Sequence, residues 1–104
     1  MVVAKLDPAA PTKVTPVWCA TNQGGSPSIT TSDGENDALV WTVGSADNRA
    51  GAPANQVLAW DLATGTPVVK SSDAVKNVRH FTAPIFVHGR LIIGGDNALY
   101  ALKP

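Results

Sequence analysis

Short apolar runs recur along this chain in matching order, each closed off by turn residues. Ser26-Pro27-Ser28-Ile29 and Ala83-Pro84-Ile85 both place a proline at the opening of a strand. Leu39 to Gly44 resembles Leu91 to Gly95, and Leu58-Ala59-Trp60 resembles Tyr100-Ala101-Leu102. β-Branched and aromatic residues fill these runs, and such side chains suit a pleated, packed surface. Copies of one supersecondary unit that differ mainly in loop length predict a repeat architecture, a solenoid or a propeller. A small sandwich made of similar strands is the alternative. The first copy carries a long Asn/Gly/Ala/Pro loop over 45–56, whereas the second has only the turn Asp96-Asn97.

Residues 1–13, with Pro8 and Pro11, read as an extended lead-in, because proline removes a donor and clashes with a preceding helical turn. Strands are predicted over 14–20, where Pro16 suggests an edge, and then over 26–31, 38–44, 57–61 and 66–70. Residues 71–80 hold at most a helical turn or two, capped by Ser72 or Asp73, with Val75 and Val78 too few for an amphipathic helix. Strands resume over 82–87, 90–95 and 98–102. Turns are expected at Asn22-Gln23-Gly24-Gly25, over 32–37, at Ala63-Thr64-Gly65 and at His88-Gly89. Grouped in fours, 14–20 becomes the outer strand of a neighbouring blade, 26–70 a complete blade and 82–102 a three-stranded blade. The expected fold is all-β, a partial β-propeller of about two four-stranded antiparallel blades. So few blades leave apolar faces and strand edges open, which predicts neighbours.

Ala59-x-Asp61-x-x-Thr64-Gly65 resembles the blade signature of the pyrroloquinoline-quinone-like repeat family of quinoprotein-type propellers, Ala-x-Asp-x-x-Thr-Gly-x-x-x-Trp. Val69 stands where the tryptophan falls. Gly95-Asp96-Asn97-Ala98-Leu99-Tyr100-Ala101-Leu102 is similar to the family's Gly-Asp-Gly-x-Leu-Tyr-Ala-Leu run, with Lys103 in place of the next aspartate. The resemblance covers roughly residues 26–102, and Val17-Trp18 fits the end of a preceding blade's outer strand. It implies tryptophan packing between blades and a periplasmic or secreted setting. For the family's dehydrogenases it also implies a quinone at the propeller axis, calcium, and an alcohol or sugar substrate. The blade residues themselves act without any cofactor: the Asp61 carboxylate can accept from turn N–H groups, and Gly65 can take a positive φ. The expected structural set is Ala59, Asp61, Thr64, Gly65, Gly95, Asp96, Leu99 and Tyr100.

Composition narrows the functional classes. Lys plus Arg and Asp plus Glu are both 8, and this balance argues against a phosphate-rich partner or a polybasic membrane patch. No apolar run is long enough to span a bilayer, and Met1 to Asp7 lacks the basic head and apolar centre of a signal peptide. At 44% hydrophobic and 15% charged, the chain is not composed like a disordered one. Cys19, the only cysteine, excludes an internal disulfide, and without a local base it reads as a buried spectator thiol. His80, His88 and Asp96 are weighed as metal ligands and set aside. Asp33, Glu35 and Asp37 lack the glycine and terminal glutamate of an EF-hand and read as a solvated turn. Gly24-Gly25 and Gly94-Gly95 lack the Lys-Ser/Thr of a phosphate loop.

Trp18, Trp41, Trp60 and Tyr100 all lie in predicted strands and are expected to fill a core, with stacking against a sugar as the other use of such rings. No catalytic, cofactor-binding or metal-ligating residue is assigned, and no cofactor is expected for the chain alone. The leading expectation is a structural or interaction module of a β-propeller without autonomous catalysis. It would be a homo-oligomer, or completed by the remaining blades of a parent protein, with strand 14–20 filling the empty place in another copy's three-stranded unit. A C-terminal part of a quinoprotein dehydrogenase and a carbohydrate-binding module are the alternatives.

Overall fold

A computed structural model describes residues 1–20, 26–44, 55–71, 75–79 and 82–103. Among them the chain is all-β, with no helix; nine strands pair antiparallel into sheets of two, four and three strands, and no sheet closes on itself. The turn expected at 22–25 and most of the 45–56 loop fall outside the described residues.

The first sheet is a hairpin of β1 (Val2–Asp7) and β2 (Ala10–Cys19). The strand expected to stand alone at 14–20 is therefore longer and has a partner, and the lead-in supplies that partner. Val2, Ala4 and Leu6 alternate at the strand period, and Pro8 stops the run in the turn, where the Ala9 N–H donates to Asp7 Oδ1 at 3.0 Å. Pro11 and Pro16 border the two register shifts of the ribbon, the places where a strand accepts a residue with no N–H.

The central sheet is a meander of β3 (Ser28–Thr30), β4 (Leu39–Val43), β5 (Val57–Asp61) and β6 (Pro67–Ser71). The C-terminal sheet is a meander of β7 (Ile85–Val87), β8 (Arg90–Gly94) and β9 (Leu99–Leu102). Register assigns the faces, since directly paired residues lie on the same side. Leu39, Trp41, Val43, Val57, Ala59 and Val69 share one face of the central sheet, and Ile29, Val40, Thr42, Leu58 and Trp60 share the other.

The first face meets Leu91 and Ile93 of the C-terminal sheet in a single apolar core, with Tyr100 and Leu102 at its margin. Val75 and Val78 complete that core with no exposed surface at all. Residues 75–79 are irregular, not helical, so these valines act as plugs between two sheets and not as one stripe of a helix. Ser28 ties the same two sheets together by donating its hydroxyl to the Pro84 carbonyl.

On the second face of the central sheet Val40, Leu58 and Trp60 are buried as well, whereas Ile29 on the edge strand is 61% exposed. The open end of the hairpin lies on this side, because Met1 to Ala4 line one groove together with Pro27, Ile29, Val40 and Leu62. Thr42 also lies on this face, and among the described residues its hydroxyl is buried without a partner, a cost of about 1–3 kcal/mol. The central sheet thus packs its first face on the C-terminal sheet, and the open end of the hairpin borders its second face.

Candidate functional site

Between β5 and β6 the chain reverses within a few residues, and Asp61 organises the reversal. Its Oδ1 accepts the Thr64 N–H at 2.7 Å and the Thr64 hydroxyl at 2.8 Å, while its own carbonyl accepts the Gly65 N–H at 2.9 Å. The Thr64 N–H and hydroxyl stabilise the carboxylate and hold the Asp61 carboxyl below its ordinary value. Gly65 closes the turn at φ +72°, a conformation that glycine adopts without steric cost. Ala59, two residues before the aspartate, has no exposed surface, so the turn is fixed directly to the core.

This turn is also a docking point. The Trp18 indole N–H donates to the Leu62 carbonyl at 2.8 Å, and a Cβ added to Gly65 would stand 2.7 Å from Trp18 Cδ2. The ring therefore lies directly on the glycine and occupies the space that any side chain would need. The Leu62 N–H donates to the Ala38 carbonyl at 2.8 Å, linking the same turn to the β3–β4 connection. Trp18 thereby joins the hairpin to the central sheet, although Val69 replaces the tryptophan within the motif itself.

In the second copy the turn residues do other work. Gly95 has no positive φ; it is needed because a Cβ would meet the Lys76 carbonyl oxygen at 2.6 Å. The Asp96 N–H donates to the Asn77 carbonyl at 3.0 Å, and its carboxylate pairs with the Arg79 guanidinium. The Tyr100 hydroxyl reaches the Lys76 carbonyl at 3.3 Å. These contacts latch residues 76–79 over the β8–β9 turn and hold the two valine plugs in place. Leu99 points away from this arrangement and is 74% exposed.

Trp41 and Trp60 are core residues; the Trp41 indole N–H donates to the Thr30 hydroxyl at 2.8 Å. Neither offers a ring face for a sugar, and the half-buried Trp18 ring is taken up by Gly65. Cys19, expected to be buried, is exposed: it pairs with Val2 on the side of the hairpin opposite Trp18. His88 is an exposed turn residue at φ +48°, and His80 lies outside the described residues.

The acidic turn satisfies itself. Asp33 accepts the Glu35 N–H at 2.9 Å and the Asn36 N–H at 2.7 Å through Oδ1, and the Asn36 amide at 2.6 Å through Oδ2. These bonds, those from Asn36 foremost, bring its carboxyl down to about 2. Asp37 accepts the Ser32 hydroxyl at 2.9 Å. With the Asp33 and Asp37 carboxylates turned to their own loop, the segment does not fit the calcium that the family's dehydrogenases imply. Among the described residues no group of three or more His, Cys, Asp or Glu side chains is placed to hold a metal ion. No step through a metal or a quinone is assigned to these residues.

What the described residues do present is uncovered apolar sheet. On the C-terminal sheet, Ile85, Ile92 and Ala101 form one cross-strand row, flanked by Val87 and Leu99, on the side opposite the core. On the hairpin, Val2, Ala4, Leu6, Val14 and Pro16 share the side away from Trp18. No protein-family model, no curated protein and no solved structure matches this chain.

Proposed function

We propose that this chain is a structural interaction module. Its stacked antiparallel sheets belong to a β-propeller-like assembly, completed by another copy or by further blades, with no autonomous catalysis. The observation that carries this reading is the bare face of the C-terminal sheet, where Ile85, Val87 and Leu99 stand in solvent beside the half-buried Ile92. A sheet that is apolar on both sides is characteristic of one covered on both sides. The docking of Trp18 on the Gly65 turn also supports it, since the blade resemblance implies tryptophan packing between consecutive sheets. The three sheets follow one another along the chain, and the second and third pack face to face around one core. Light scattering together with binding of an apolar-surface dye tests the reading. The expected result is either a particle heavier than the 10.8 kDa chain or a monomer that binds the dye strongly. A folded monomer that leaves the dye dark overturns it.

A further inference from the structure

We infer that the groove between the first face of the central sheet and Phe86 of β7 is a binding site for a small organic ammonium ion with an apolar body. The site is separate from the structural role proposed above and does not depend on what covers the outer faces.

Register builds the groove. Thr30 pairs with Leu39, and Trp41 pairs with Ala59, which pairs in turn with Val69, so all five lie on the first face of the central sheet. Leu91, Ile93, Val75 and Val78 share the core with Trp41 and Ala59, whereas Leu39 and Val69 are only partly buried at its margin. Phe86 pairs with Leu91 and so looks into the same layer, yet it stands on the edge strand β7 and is 41% exposed. Thr30, Leu39, Trp41, Val69 and Phe86 thereby line a groove of about 450 Å³, a size suited to a small molecule. Trp41 is 2% exposed, and its indole N–H is already held by the Thr30 hydroxyl. An apolar body therefore fits between these walls without stranding the indole N–H.

Charge at the mouth selects the head group. Asp37 lines the groove there, and its Oδ2 accepts the Ser32 hydroxyl at 2.9 Å. Among the described residues that is the only donor recorded to this carboxylate, so Oδ1 is open to a ligand. One carboxylate oxygen is too little for calcium, which takes six or more oxygens, and enough for one ammonium N–H. No lining residue is basic, and no Lys or Arg occurs between Lys13 and Arg49. Arg90 pairs with Val87 and so falls on the opposite face of β7–β8 from Phe86. Asp33 and Glu35, in the same turn as Asp37, add to the negative field. An anionic head is repelled here and a neutral one gains an ordinary hydrogen bond, whereas an ammonium gains a charge-assisted one. Asp37 is exposed, so the ion keeps part of its water.

Phenethylammonium is the probe, with phenethyl alcohol as its neutral counterpart and phenylpropionate as its anionic one. Each is titrated into the full chain and followed by NMR through the indole N–H resonances. The Trp41 signal is expected to move with phenethylammonium, while that of Trp18, seated on the Gly65 turn, stays still. The alcohol is expected to bind about fivefold more weakly, the margin of a charge-assisted over a neutral hydrogen bond, and phenylpropionate more weakly again. Asp37→Asn can still accept the Ser32 hydroxyl and tolerates the φ of +51°, and it is expected to erase the preference for ammonium over alcohol. Val69→Phe fills the groove and is expected to weaken both probes alike, with far-UV circular dichroism checking its fold. Equal affinity for ammonium and alcohol in the wild type, a preference that survives Asp37→Asn, or undiminished binding by folded Val69→Phe overturns the site. So does a Trp41 resonance that no probe moves, or one that moves together with Trp18, since the latter means general adhesion to exposed apolar sheet.

Discussion

The central and C-terminal sheets are built from the same kind of strand yet end in different surroundings. In both, a middle strand is apolar at consecutive positions, Leu39 to Trp41 in one and Leu91 to Ile93 in the other, so apolar side chains fall on both faces. The central sheet packs one face on the C-terminal sheet, and Val40, Leu58 and Trp60 on its other face are buried as well, although Ile29 on the edge strand is 61% exposed. The C-terminal sheet has cover on one side alone. Its outer residues do not differ in chemistry from their buried counterparts; they differ in having no sheet beside them. Burial here is a property of position in the stack.

That contrast can be broken most forcefully at Trp41 and Leu99. Trp41→Ala removes a fully buried ring and a hydrogen bond, and it is expected to cost about 3–5 kcal/mol of stability. Leu99→Ala in the unassociated chain is expected to change stability by less than about 0.5 kcal/mol. Urea midpoints of the two variants at low protein concentration make the comparison, and equal losses would show that the outer face is already covered.

A smaller difference separates Gly65 from Gly89. Both have positive φ, +72° and +71°, so Gly→Ala carries the same backbone cost of about 1–2 kcal/mol at each. Nothing lies within 4 Å of a Cβ at Gly89, whereas Gly65 is covered by the Trp18 ring. Gly65→Ala is therefore expected to be the more destabilising and to shift indole fluorescence, and Gly89→Ala to leave the fluorescence unchanged. Matching behaviour at both positions would mean that Trp18 does not rest on the turn.

The smallest effect belongs to the turns of the central sheet. Asp33 and Asp61 have carboxyls lowered by hydrogen bonding in the folded chain, so their stabilising contribution is fully present above the ordinary carboxylate range. It is lost as the pH falls through the folded values, which for Asp33 means down to about 2. Unfolding midpoints of Asp33→Asn and Asp61→Asn are expected to converge with the wild type in acid and to fall below it at neutral pH. A difference that does not depend on pH would mean that the carboxylate charge is not what holds these turns.

The strands of the two larger sheets were legible because their signals are local: β-branched runs, and turns such as His88-Gly89 and Asp61 to Gly65. The first strand was not. Pro8 and Pro11 dominate residues 1–13, and only the alternation of Val2, Ala4 and Leu6 marks a strand before them. The sum of strands changes with it, since the hairpin brings two to the stack and not one. The buried role of Val75 and Val78 was illegible for another reason, because two valines three residues apart show no period until two sheets close around them. Cys19 misleads in the opposite direction. A cysteine in a strand is usually buried, but this one sits in a hairpin whose strands are largely exposed. The docking of Trp18 on Gly65 depends on residues 47 positions apart, and within the motif Val69 pointed away from it.

That separation has a kinetic consequence. Within the central and C-terminal sheets every strand pairs with its neighbour in sequence, so each meander can form by short loop closures. The hairpin is joined to its docking turn across 44 residues, from Trp18 to Leu62, and must close a much longer loop to reach it. Until it arrives, Ile29, Val40 and Leu62 lack the apolar neighbours that Met1 to Ala4 bring, on a chain that already shows apolar surface elsewhere. The time the indole takes to settle on its glycine therefore sets how long the newly made chain spends in its most aggregation-prone form.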